Sequence, residues 1–189
     1  MSASALALVV CAAFIHASWN LMAKRAAAAG PVFVLASSTI ATLAYAPWVI
    51  WEIACGGASF TLAVAICVLA SGVLHLAYAL TLQRGYQVAD LSVVYPVARG
   101  SGPLLSSLAA FALLAETPTV AGLAGLAAVV AGILMISTQG DLSGLKTPGG
   151  RAGLRWGLAT GALIASYSVV DAWGVKALAI APVVLDIFG

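Results

Sequence analysis

The sequence predicts an all-α membrane protein: a polytopic helical bundle of five-helix inverted repeats with the second repeat truncated. Three observations carry that prediction. The first is composition: 189 residues, 63% hydrophobic and 7% charged, with a mean hydropathy of +1.11, where soluble domains carry about 25% charged residues. Eight Lys/Arg and six Asp/Glu are too few to solvate a globule of this size, and a net charge of +2 makes no basic patch. A disordered chain, a soluble enzyme and a nucleic-acid binder are thereby excluded. The second is the spacing of the charges: residues 1–23, 26–51, 53–83, 117–140 and 156–170 carry none, and 91–115 is interrupted before its final residues only by Arg99. A helix needs about 20 apolar residues to cross a core of about 30 Å. Runs such as LAGLAAVVAGILM lack the alternation of a barrel strand. The third is an internal echo. Arg25-AAAAG-Pro31-Val32 recurs as Lys176-ALAIA-Pro182-Val183, 151 positions on, and Ala17-Ser18-Trp19 recurs as Ala165-Ser166-Tyr167, 148 positions on. An odd number of helices per repeat turns the second copy upside down.

The elements follow in order. Span 1 covers 3–23; it lacks a basic leader and is followed by Lys24-Arg25, so it does not read as a signal peptide. Span 2 covers 32–51 and ends in Trp48 and Trp51, placed as belt anchors. Span 3 covers 60–82 and carries His75 and Tyr78; span 4, at 91–114, carries Arg99 and is interrupted by Pro96, Gly100, Gly102 and Pro103. Span 5 covers 120–139, where Ala121, Gly125, Ala128 and Gly132 form a small-residue stripe of the kind that lets helices approach closely. The polar stretch GDLSGLKTPGGRAGL, 140–154, reads as a loop. Span 6 covers 155–175, with Trp156 as an anchor at its start, and a seventh begins near Pro182 and is cut off at Gly189. The domain reading is therefore a first repeat at 1–139, an inter-repeat loop at 140–154, and the start of a truncated second repeat at 155–189. Cys11, Cys55 and Cys67 show no metal or disulfide spacing and read as small buried hydrophobes. Lys24, Arg25, Arg84, Lys146, Arg151 and Arg155 all fall in loops after odd-numbered spans, which places the N-terminus outside.

Arg99 carries the most chemical information. It lies about 12 Å into span 4 at 1.5 Å per residue, where an arginine costs roughly 2.5–3.5 kcal/mol to insert and must face the bundle interior or water. Ser92, Tyr95, Arg99, Gly102 and Ser106 fall on one helical stripe. The functional reading is a midplane site where the guanidinium holds a carboxylate or other anion; the structural one ties it to helix-end carbonyls or a buried carboxylate. With Asp90, Glu52 and Glu116 near span ends, its expected partners are the Tyr95 and Ser106 hydroxyls, Asn20, and carbonyls freed by Pro96 and Pro103. On span 1, His16 and Asn20 share a face beside Trp19; they are substrate-contact candidates or interhelical ties, and His16 is also a proton-coupling candidate. Asp171 shares a stripe with Thr160 and Tyr167, and is a proton or cation site, the partner of Arg99, or a headgroup-level residue beside Lys176. Glu116 reads as a solvated helix end. No metal site, cofactor motif or catalytic constellation stands out, so no enzyme activity is expected.

The segments HASWNLMAKR at 16–25 and LQRGYQVADLSVVYPVARGSGPLLSSLAAFALLAE at 82–116 resemble EamA-domain transporters of the drug/metabolite transporter superfamily. The YPVARGSGP segment followed by Glu116 is the most specific part of the resemblance. It implies ten helices in two inverted five-helix repeats, a central cavity, and termini in the cytoplasm, opposite to the charge count. It also implies cavity roles for His16, Trp19, Asn20, Tyr95 and Arg99, to which the stripe adds Ser92 and Ser106. The expectation is a multi-pass secondary transporter of the cell inner membrane that exports small polar metabolites such as amino acids by alternating access. Its partners are then a small-molecule substrate and the lipid bilayer, with a homodimer left open and no nucleic acid or cofactor. The alternative is a non-transporting assembly protein, or an inactive transporter fragment.

Overall fold

The computed structural model describes residues 3–55, 61–113, 119–138 and 142–188. Among the described residues every regular element is helical. Seven α-helices follow one another: α1 (Ala3–Arg25), α2 (Pro31–Cys55), α3 (Leu62–Val88), α4 (Leu91–Leu113), α5 (Val120–Thr138), α6 (Pro148–Leu178) and α7 (Pro182–Phe188). Five of them, α1, α2, α3, α5 and α6, are long and apolar enough to cross a membrane. The fourth span is a helix of 23 residues as well, with serines, glycines, two prolines and Arg99 set along it.

Threonines start three of these helices. Thr61 accepts from the Val64 amide (3.2 Å), Thr119 from Gly122 (3.0 Å) and Thr147 from Gly150 (3.0 Å), each satisfying an amide that the first helical turn leaves open. At Thr147 the cap is followed by Pro148 at the first helical position, where a missing N–H costs nothing. This corrects the reading of 140–154 as loop: a 3-10 segment occupies Leu142–Lys146 and α6 is already helical from Pro148. Trp156 therefore lies two turns inside α6, half-buried against Gly85.

Helices α3, α4 and α6 form the centre, with α4 against α6 the most extensive contact. The two run parallel and in register. A methyl group at Gly153 would lie 2.8 Å from Val93 Cγ1, one at Gly157 2.8 Å from Val97 Cβ, and one at Gly161 3.1 Å from the Ala98 carbonyl oxygen. Three glycines at four-residue spacing in α6 thus admit α4, Gly157 and Gly161 as far as its backbone carbonyls, the close packing that stabilises helix pairs where lipid supplies no hydrophobic drive between them. The stripe expected to do this, on α5, does not: side chains added at Gly125 or Gly132 would meet nothing within 4 Å, and Ala121 and Ala128 are exposed. Helix α4 also runs unbroken through Pro96 and Pro103, so the expected interruption reduces to two missing amide donors.

Helix α3 runs antiparallel to α6 and anchors the peripheral α1–α2 hairpin. The Lys24 ammonium donates to the Tyr86 and Ala89 carbonyls, 2.6 Å each, at the end of α3, and Gln87 Nε2 donates to the Ala27 carbonyl at 2.9 Å. Gly30 closes the hairpin at φ +53°, a left-handed conformation suited to glycine. Of the cysteines only Cys67 is buried; Cys11 and Cys55 are exposed on the bundle's outside, so the buried reading holds for one of three.

Candidate functional site

Two polar clusters meet between the central helices. The first surrounds Arg99, the ninth residue of α4 and half-buried. Its Nη2 donates to the Tyr78 hydroxyl at 3.0 Å, and its Cζ lies 5.8 Å from the centre of that ring, within cation–π range. Among the described residues no carboxylate pairs with it; Glu116 lies outside the described residues. The acceptor is thus a neutral hydroxyl of α3, and not one of the groups expected. Ser106 donates within its own helix, to the Gly102 carbonyl at 3.0 Å. Asn20 is 4% exposed and bonded at both ends of its amide: its Nδ2 donates to the His16 carbonyl (2.7 Å) and its Oδ1 accepts from the Tyr86 hydroxyl (2.9 Å). Gly102 turns to Ile164 of α6, 2.7 Å from where a methyl would reach.

The remaining expected site residues scatter around this centre. Tyr95 is half-buried, its ring 6.3 Å from that of His16. His16 is exposed and Trp19 is 43% exposed, stacked on Phe33 at 5.5 Å. Ser92 is exposed at the start of α4. So the structure gathers Arg99, Tyr95 and His16 on one side of α4, while Asn20 serves the α1–α3 contact and Trp19 the α1–α2 contact.

The second cluster centres on Asp171. Its Oδ1 accepts from the Ser71 hydroxyl at 2.6 Å and its Oδ2 lies 4.0 Å from His75 Nε2. His75 Nδ1 lies 3.1 Å from the Ser71 carbonyl oxygen and 3.3 Å from Ser71 Oγ. Asp171 is therefore neither Arg99's partner nor at the helix end; it sits two turns before the end of α6, facing the middle of α3. The two clusters join through aromatic rings: His75 stacks on Tyr167 at 3.9 Å, and Tyr167 meets Tyr78 edge-on at 5.7 Å. Thr160, on the same face of α6, is wholly buried and donates to the Trp156 carbonyl at 2.7 Å. Sequence reasoning placed His75 and Tyr78 together on span 3 but missed Ser71 and the pairing with Asp171. The available signal was the stripe Ser71, His75, Tyr78 at steps of four and three on one face of α3.

Among the described residues no three metal-ligating side chains cluster. An open groove of about 500 Å³ lies apart from both clusters, at the end of α3, lined by Lys24, Arg25, Arg84 and Gln87 among others. Comparison with family models, with curated proteins and with solved structures finds no match to this chain.

Proposed function

We propose that this protein is a secondary transporter of the cell inner membrane, without enzymatic activity. It moves small polar metabolites such as amino acids or related compounds outward by alternating access around Arg99. In this reading the helices form two inverted EamA-type repeats of the drug/metabolite transporter superfamily, with His16, Trp19, Tyr95, Ser92 and Ser106 around the path and Asn20 holding its wall. The observation that carries it is the state of Arg99: a guanidinium deep in a helix, bonded to a neutral phenol, with its charge left for an anionic group of a ligand. An uncompensated charge at that depth is costly and is retained where it does work.

A second reading is a non-transporting membrane assembly protein, alone or as a homodimer. The interhelical ties favour it: Tyr86 to Asn20, and Gln83 Nε2 to the Ala23 and Ala26 carbonyls at 3.4 and 3.3 Å, consume buried polar groups in holding helices together.

The deciding experiment is export of a panel of amino acids and toxic analogues from cells expressing the protein. The transporter reading expects at least one compound to be exported, and Arg99→Ala to cut that export by about tenfold or more, as loss of a charge-assisted contact does. A well-folded Arg99→Ala protein that exports every compound as the parent does overturns it.

A further inference from the structure

We infer that His75 and Asp171, bridged by Ser71, form a proton-binding site electrostatically linked to Arg99. The argument begins with hydrogen-bond counting. The Ser71 hydroxyl has one hydrogen, and it goes to Asp171 Oδ1 at 2.6 Å. It cannot also be given to His75, so the Nδ1 of His75, 3.1 Å from the Ser71 carbonyl oxygen and 3.3 Å from Oγ, carries a hydrogen and donates it. In the neutral ring, Nε2 is then the bare nitrogen, and it faces Asp171 Oδ2 at 4.0 Å. Two lone-pair-bearing atoms face each other in a bundle interior, a repulsive arrangement that one proton turns attractive. A proton arriving from water bonds to Nε2; the imidazolium and the carboxylate then neutralise each other, and the proton leaves by the same bond. With side chains 20% and 25% exposed, the two groups are largely sheltered by the surrounding helices.

The surroundings define what the proton changes. From α3, Cys67 donates to the Val170 carbonyl at 3.7 Å and Tyr78 accepts from Arg99; from α6, Tyr167 covers the imidazole; α7 brings Val184 and Leu185 to the Cys67 side. Arg99 of α4 bonds the Tyr78 hydroxyl and interacts electrostatically with Tyr167, the ring that covers the imidazole. Without the proton the cluster holds one negative charge that acts against any anion approaching Arg99; with it, that charge is gone. Proton and anion therefore favour each other's binding, and by linkage the effect is reciprocal. This last step rests on the anion-binding reading of Arg99; the proton site itself does not.

The test uses the purified full chain in lipid nanodiscs with ¹⁵N-labelled histidine, the His75 signals being assigned with His16→Gln. We expect the neutral ring to carry its hydrogen on Nδ1. At a fixed mildly acidic pH, we expect the imidazolium-to-imidazole ratio of His75 to fall about tenfold or more in Asp171→Asn, as removal of an adjacent opposite charge requires, and to rise in Arg99→Gln. An Nε2–H tautomer in the parent protein, or a ratio unchanged in Asp171→Asn, overturns the proton site. Should Asp171→Asn fail to fold, the tautomer of the parent protein and the Arg99→Gln ratio decide alone. None of these signals needs a transported compound, so absent export with the shifts present removes the transporter reading and leaves the proton site standing.

Discussion

Helices α5 and α6 both carry small residues every third or fourth position, yet only one uses them. In α6 the glycines receive α4 closely, Gly157 and Gly161 at backbone distance, and 28% of an 18-residue stretch is buried; in α5 side chains added at Gly125 or Gly132 would touch nothing, and 6% is buried. The difference lies in the facing surface. Helix α4 offers Val93, Val97 and Ser101 at four-residue spacing, in step with Gly153, Gly157 and Gly161, so ridges of one enter the gaps of the other. Helix α5 meets α4 instead through Ile133, whose side chain lies against Gly100. A small-residue stripe is thus a permission for close packing; a partner with matching ridges decides whether it is used.

The sharpest way to break this contrast is to fill both stripes. Gly157→Leu should destabilise the protein by about 3 kcal/mol or more, because the added side chain meets Val97 and the Val94 carbonyl and the backbone cannot yield. Gly125→Leu should change stability by less than about 0.5 kcal/mol. Denaturant titration of the two variants in mixed micelles checks both, and equal losses would show that the α4–α6 seam is not the stabilising element. A smaller effect is expected where the peripheral hairpin joins the centre. Tyr86→Phe leaves the buried Asn20 Oδ1 without its donor and should cost about 1–3 kcal/mol. The same titration applied to Tyr86→Phe, Asn20→Ala and the double variant should return a coupling between them; strict additivity would place the α1–α3 tie elsewhere. The smallest effect lies at the turn after α6. Ala179 ends that helix at φ +53°, so Ala179→Gly should relieve strain and, after the entropy cost of glycine, stabilise by about 0.5 kcal/mol, read as a rise in thermal midpoint.

The candidate site divides in the same way between what the sequence shows and what packing decides. An arginine at mid-depth of an apolar helix is visible in the sequence because its insertion cost is so large. Its acceptor was not visible: Tyr78 lies 21 positions away on another helix, and the nearer hydroxyl of Ser106 is spent on its own backbone. Asp171 in span 6 and His75 in span 3 were both legible as polar residues inside apolar spans, but their meeting depends on how α3 lies antiparallel along α6. The start of α6 was hidden for a different reason. Gly and Pro at 148–153 have the composition of a loop, and only the Thr147 cap with proline at the first helical position reveals a helix there.

Composition and charge spacing alone determined that this is a chain of long apolar helices, because hydropathy summed over 20 residues outweighs every local preference. They also determined that Arg99 must be accommodated at depth. Only the tertiary structure decided which glycines are packed, which hydroxyl receives the guanidinium, and which histidine meets Asp171. Those outcomes depend on helix register and facing, where a shift of one residue turns a side chain by about 100° around the axis and sends it to a different neighbour.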